Sequence, residues 1–228
     1  MTDRHRGPSS ALRARGAAVR LLPAALCSGV AVALLASRVA FSGSRTYLFL
    51  IWNLVLAWVP LVAASVLARV PPARAHWPKL LGIAAVWLVF LPNAPYLVTD
   101  LLHLGNSPAA PKWFDATMLF AFACAGCVVG FSSLSAVHAR VDEAIGRGGG
   151  WVFVVAVSGL SAFGVYLGRF KRWNSWDVVS DPQALLRDVA RVVLHPCDHP
   201  PMLAFTAQFA SLLLIGYAMF SQRLRWHQ

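Results

Sequence analysis

Six apolar runs, separated by charged or helix-breaking residues, dominate the pattern along the chain. None contains a charged residue, and each is close to the roughly 20 residues that cross a hydrocarbon core of about 30 Å as a helix. The runs cover residues 21–37, 46–68, 80–99, 116–137, 151–168 and 202–221. We therefore predict an all-α, polytopic membrane protein. Residues 19–221 would form one domain, a six-helix transmembrane bundle.

The composition agrees with this pattern. Of the 228 residues, 58% are hydrophobic and only 13% are charged, too few charges to cover a water-soluble surface. The formal net charge of +11 would suggest nucleic-acid binding in a soluble protein. Here the cations stand between apolar runs and form no basic helix face, so we predict a lipid bilayer as partner and no nucleic acid.

The basic N-terminal segment indicates the orientation. Residues 1–18 are polar and basic, and we predict a disordered tail there. By the positive-inside rule this tail favours a cytoplasmic N-terminus, and an even number of spans then leaves residues 222–228 as a cytoplasmic tail. We expect an uncleaved first helix, rather than a signal peptide, in a plasma membrane.

Two prolines interrupt the third span near its end. Pro92 and Pro95 each remove a backbone N–H, so we predict a broken third helix in which Asn93 caps a new helical segment. In that segment Tyr96, Asp100 and His103 share one face. This stripe predicts a polar pocket, or alternatively a kink at the membrane surface whose Asp100 pairs with a nearby arginine.

The fifth loop is rich in cations and tryptophans. Its first ten residues, 168–177, read GRFKRWNSWD. Arg169 and Arg172 could bind an anion such as a lipid phosphate, with Trp173 and Trp176 as walls beside Asn174. The alternative is an aromatic belt at the lipid headgroups.

A short amphipathic helix follows that loop. Asp181 is placed to cap it, Pro182 suits its first position, and its leucines and valines fall on one face. We predict a helix at 182–194 that lies at the membrane interface, with packing on the bundle as the alternative. The histidines and cysteine of 195–199 lack the spacing of a metal site, so no metal is predicted.

The two unusual segments follow the third and the fifth span. With six spans, both would lie on the same, outer side of the membrane. A joint site at the outer interface is therefore geometrically possible.

Three stretches of the chain resemble one protein family. Residues 91–101 (LPNAPYLVTDL), 113–115 (WFD) and 169–177 (RFKRWNSWD) are similar to the pattern of domain of unknown function 1361, and the resemblance covers about residues 47–220. It implies a multi-pass membrane protein of a bacterial cell, in the inner membrane. It implies no activity, and the cofactor stays unknown.

Three functions stay open at this point. The first is an outward-facing site for a lipid headgroup or another anionic envelope molecule, with no decision on whether chemistry follows binding. The second is a structural or partner-binding role without a small-molecule site, and the third is a small transporter or channel. For the first, the candidate catalytic residues are Asp100, His103 and Asp177. The candidate ligand-binding residues are Asn93, Tyr96, Arg169, Arg172, Trp173, Asn174 and Trp176.

Overall fold

The computed structural model describes residues 10–71, 76–195 and 198–225, and the regular structure in these ranges is entirely helical. The helices are α1 (Ser10–Ser42), α2 (Phe49–Leu67), α3 (Trp77–Phe90), α4 (Asn93–Thr99), α5 (Lys112–Phe170), α6 (Asp177–Ser180), α7 (Pro182–Leu194) and α8 (Pro200–Arg225). A 3₁₀ turn, Asp100–His103, continues α4.

Five helical stretches of the described chain are long and apolar enough to cross a membrane. They are Leu21–Ser42, Phe49–Leu67, Trp77–His103, Lys112–Phe170 and Pro200–Gln222. These stretches indicate a membrane protein, as the sequence predicts. The predicted count of six spans is not confirmed, because the fourth and fifth predicted spans both fall within α5.

Helix α5 folds back on itself at Gly146. A straight helix of its 59 residues would be about 90 Å long. Gly146 has φ 80° and ψ 165°, a conformation outside the helical region that glycine adopts without steric strain. The rings of His138 and Trp151 then lie 5.4 Å apart, although 13 residues of straight helix would separate them by about 20 Å. The two arms, 112–145 and 147–170, therefore pack side by side.

The predicted break in the third span is milder than expected. Helix α3 ends at Phe90 and α4 begins at Asn93, but Leu91 and Pro92 keep helical backbone angles. A proline φ near −60° suits a helix, so the chain continues in the same direction despite the missing N–H groups. The structure thus does not confirm a fully broken helix.

The arms of α5 form the centre of the fold and pack against α1, α2, α4 and α8. Small residues allow the closest of these approaches. A Cβ added to Gly126 would collide with the backbone carbonyl oxygen of Ala94, so α4 crosses this arm at backbone distance. This contact fixes the position of residues 93–96, which we call the NAPY segment, against the bundle.

The ends of the chain and the last loop complete the description. Helix α1 begins at Ser10, so residues 10–18 of the predicted disordered tail are helical, while 1–9 and 226–228 lie outside the described residues. Helix α7 has the bounds predicted from the sequence, and the Asp181 carboxylate accepts a hydrogen bond from the Ala184 N–H. Its location at a membrane interface stays a prediction. Of the segment 195–199, residues 196–197 are not described.

Candidate functional site

The carboxylate of Asp100 is buried at the end of α4 and binds side chains from two other helices. Arg169 Nη2 lies 2.5 Å from Asp100 Oδ1, and Asn53 Nδ2 donates to Asp100 Oδ2 at 2.9 Å. The Arg169 Nε–H donates to the hydroxyl of Thr99 at 2.9 Å. The exposed fractions of the Asp100 and Arg169 side chains are 1% and 13%. Asp100 therefore joins α2, α4 and the second arm of α5 through a nearly dry ion pair.

Tyr96 lies one helical turn before Asp100 and contacts the same arginine. The guanidinium carbon of Arg169 stands 4.4 Å from the centre of the Tyr96 ring, a cation–π contact. The predicted stripe is thus partly realised, with Tyr96 and Asp100 both directed to Arg169.

His103 stands at the edge of this arrangement. Its Nδ1 lies 3.8 Å from Asp100 Oδ1, its ring packs 5.0 Å from that of Phe49, and 29% of its side chain is exposed. Its backbone carbonyl accepts a hydrogen bond from the Tyr47 hydroxyl at 2.9 Å. An acid–base role for Asp100 with His103 would require Asp100 to leave its arginine, so the geometry favours a structural pairing.

The NAPY segment and residues 172–176, the RWNSW segment, meet through Asn93 and Ser175. The sequence predicts that Asn93 caps α4, but in the structure it does not. Its Nδ2 instead donates to the carbonyl of Phe90 at 2.9 Å and to the Ser175 hydroxyl at 2.8 Å. The Ser175 hydroxyl donates in turn to the carbonyl of Val89 at 3.3 Å. At the proline-rich turn, the Ala94 N–H donates to the carbonyl of Leu91. The side chains of Asn93 and Ser175 donate to the carbonyls of Phe90 and Val89, so these carbonyls also have partners.

The rest of the fifth loop is held locally. Asp177 accepts hydrogen bonds from the Asn174 N–H at 2.6 Å and from the Ser180 hydroxyl at 3.0 Å. The Asn174 N–H, and then the Ser180 hydroxyl, hold the pKa of Asp177 below its usual value. Trp173 Nε1 donates to Asp188 Oδ2 at 3.1 Å, which ties the loop to α7. Asp177 therefore acts as the cap of a turn.

Arg172 differs from Arg169 in its surroundings. It is exposed and has a positive φ of 61°, whereas Arg169 points to Asp100. Neither arginine is among the described residues that line the cavity beside them. Arg169 is thus bonded to Asp100, and anion binding by Arg169 and Arg172 stays a prediction.

A partly open cavity of about 100 Å³ lies between α2, α4, the second arm of α5 and the fifth loop. We call it the loop hollow. It is far larger than the roughly 10–15 Å³ that one water needs. Its lining is Trp52, Asn53, Leu56, Pro92, Asn93, Tyr96, Gly164, Gly168, Trp173, Asn174, Ser175 and Trp176. Five predicted ligand-binding residues thus meet here: Asn93, Tyr96, Trp173, Asn174 and Trp176.

A comparison with known protein families gives a match that covers the region of the loop hollow. Residues 52–215 match the sequence profile of a family described as a protein of unknown function, DUF1361. The chain belongs to the DUF1361 family. No curated protein and no solved structure matches the chain. The matched range of this DUF1361 chain contains every residue that lines the loop hollow.

The sequence reasoning missed two features of this DUF1361 chain. Trp52 and Asn53 line the hollow from α2, and a polar Asn53 inside an apolar run was the one available signal. The second feature is a buried ion pair between Arg38 of α1 and Asp115 of α5, at 2.6 Å, with Arg38 also 4.5 Å from the centre of the Tyr47 ring. Arg38 and Asp115 each looked like the polar boundary of a span, and their spacing of 77 residues carries no pairing signal.

Proposed function

We propose that the chain is a multi-pass membrane protein whose loop hollow binds the polar headgroup of a lipid or of another envelope molecule. The observation that supports this is the meeting of the two unusual segments around one partly open cavity with aromatic and amide walls. Sites for small molecules combine apolar and aromatic walls with a few polar groups. The structural contacts of Asn93 and Ser175 explain two of the lining residues, but they do not account for the three tryptophans at the cavity.

Binding is favoured over catalysis by the state of the candidate acids. Asp100 is paired with Arg169, and Asp177 closes a turn of its own loop. Neither lines the hollow among the described residues. The proposal therefore names a binding site and assigns no reaction.

The membrane topology is part of the proposal. Each arm of α5 is long enough to span, so two crossings by α5 give six in total, with Gly146 at the inner side and the loop hollow at the outer side. With the basic N-terminus inside, the hollow would face outward from the plasma membrane of a bacterial cell.

Single cysteines at Arg147 and Ser180, in a background without native cysteines, test this topology. Labelling of whole cells by a membrane-impermeant maleimide should reach Ser180→Cys and spare Arg147→Cys. Equal labelling of both would contradict six crossings.

The binding proposal is tested by the molecules that copurify with the chain. Trp52→Ala and Trp176→Ala remove walls of the hollow, and these two residues are 55% and 42% exposed, so neither variant should unfold the bundle. Trp113→Ala is the matched control, because Trp113 is 70% exposed and does not line the hollow. Mass spectrometry of the extracted molecules should show one species that is depleted in both hollow variants and retained in the control. Identical extracts from all four proteins would refute the proposal.

A structural role without a ligand is the second candidate. The buried ion pair of Asp100 and Arg169 and the hydrogen bond of Asn93 to Ser175 favour it, because both connect distant segments. It predicts that the tryptophans of the hollow can be replaced without any change in copurifying molecules.

A further inference from the structure

We infer that the loop hollow takes an uncharged polyhydroxyl group, such as a sugar ring, rather than a phosphate or an ammonium group. This inference rests on the proposed binding function and names its ligand class. It departs from the anion expected from the sequence. Three independent features of the hollow support it: its charge, its hydrogen-bonding capacity and its aromatic walls.

The described lining of the hollow contains no formally charged side chain. Of the charged groups beside it, Arg172 is exposed and does not line the hollow, and two others have partners. Arg169 is neutralised by Asp100, and the carboxylate of Asp188 accepts from Trp173 Nε1. A phosphate inside the hollow would contact no cation of the described lining, and burial of an unpaired charge is costly.

The amides of the hollow have acceptor atoms left over. Both N–H groups of the Asn93 amide are used, by the Phe90 carbonyl and by the Ser175 hydroxyl, which leaves its Oδ1 as an acceptor. Asn53 donates one N–H to Asp100, so it keeps one N–H and its Oδ1. A phosphate diester only accepts hydrogen bonds and cannot satisfy Asn93 Oδ1. A hydroxyl group donates and accepts, and therefore suits both amides.

The aromatic walls favour a neutral ring. The rings of Trp52 and Trp176 lie 6.4 Å apart at 59°, and they offer flat apolar surface to the C–H face of a sugar. An ammonium group would also suit aromatic walls. However, the Tyr96 ring already contacts the guanidinium of Arg169 at 4.4 Å, and the described lining has no carboxylate to balance a second cation.

The test compares three headgroups on the same full-length protein. The chain is purified in a polyoxyethylene detergent, which has neither sugar nor phosphate, and is mixed with glucosyl-diacylglycerol, phosphatidylmethanol or phosphatidylethanolamine. Phosphatidylmethanol has a phosphate diester and no headgroup hydroxyl. Bound lipid is counted by native mass spectrometry, and affinity is measured from tryptophan fluorescence. We expect glucosyl-diacylglycerol to bind most tightly and about tenfold more weakly to Trp52→Ala and Trp176→Ala, with Trp113→Ala unchanged. Circular dichroism melting shows whether each variant is folded, and Trp176→Phe, which keeps an aromatic wall, should retain binding.

The remaining outcomes separate the inference from the proposed function. If phosphatidylmethanol or phosphatidylethanolamine binds best, and its binding weakens in both hollow variants, the polyhydroxyl inference is wrong while the binding function stands. If no lipid responds to Trp52→Ala or Trp176→Ala, both fail. Competition by methyl glucoside would support the inference and show that a free sugar suffices. Glucosyl-lipid binding without such competition would support it with a membrane lipid as the source.

Discussion

The guanidinium of Arg169 holds the carboxylate of Asp100 at 2.5 Å, across 69 residues of sequence, and presses against the ring of Tyr96. The pair connects the end of α4 to the start of the tryptophan-rich fifth loop. It therefore positions two walls of the loop hollow relative to each other.

Asp100→Asn should destabilise the protein strongly. The variant keeps the shape of the side chain but leaves Arg169 as a buried cation without its carboxylate, and breaking a buried pair costs about 3–5 kcal/mol. We expect a value near the lower end, because Arg169 is partly exposed. The thermal midpoint of the detergent-solubilised chain measures this. Asp181→Asn is the control, since this exposed residue keeps its capping ability as asparagine. Equal midpoints for the two variants would show that the pair contributes little.

Arg38→Met should also lower the thermal midpoint, by more than Arg45→Met. Arg38 is fully buried and bonded to Asp115, whereas Arg45 is exposed on the loop that follows α1. Removal of Arg38 leaves the Asp115 carboxylate buried without its partner, and the double variant Arg38→Met with Asp115→Leu should recover part of the loss. A double variant that is less stable than Arg38→Met alone would rule out this explanation.

Gly126→Ala should weaken packing between α4 and the first arm of α5. The new methyl group would meet the backbone carbonyl of Ala94, which cannot turn away as a side chain could. Gly159→Ala is the matched control, because open space surrounds that position and alanine is the better helix former there by about 1 kcal/mol. Thermal melting should therefore move in opposite directions for the two variants. A stabilising effect of Gly126→Ala would contradict the close helix approach.

The Asp177 turn should respond to acid only at low pH. Its pKa is lowered in the folded chain, chiefly by the Asn174 N–H, so its contribution to stability is present above the ordinary value of about 3.9. That contribution is lost as the pH falls through the lower, folded pKa. The side chain is well hydrated, so the effect is local and small.

Tryptophan fluorescence can report the state of this turn. The difference between wild type and Trp176→Phe isolates the signal of Trp176, which directly precedes α6. This difference should stay constant from neutral pH down to about 4 and change below it. Asp177→Asn, which has no charge to lose, should show no such transition. A wild-type transition well above pH 4 would exclude a lowered pKa for Asp177.

Short-range sequence patterns predicted some of the helices. Asp181 and Pro182 marked the start of α7 because capping depends on neighbouring residues, and the apolar runs marked the membrane-capable helices because hydropathy is a local sum. The turn at Gly146 falls in the polar stretch 138–150, which separates the fourth and fifth predicted spans. Its exact position required the structure, because the two helical arms extend beyond the apolar runs as far as Ile145 and Arg147.

The pairing of distant residues required the tertiary structure. From the sequence alone, Asp100 could face a ligand or an arginine, and only the folded chain brings Arg169 and Asn53 to its two oxygens. Asn93 was expected as a cap because its neighbours suggested one, yet Ser175, 82 residues later, redirects its amide. The sequence by itself determined an all-helical, membrane-type chain and the residue types of its two unusual segments, because hydrophobicity and capping act over a few residues. The tertiary structure decided which charges neutralise each other and which aromatic rings surround the hollow, because those contacts depend on how helices far apart in sequence pack.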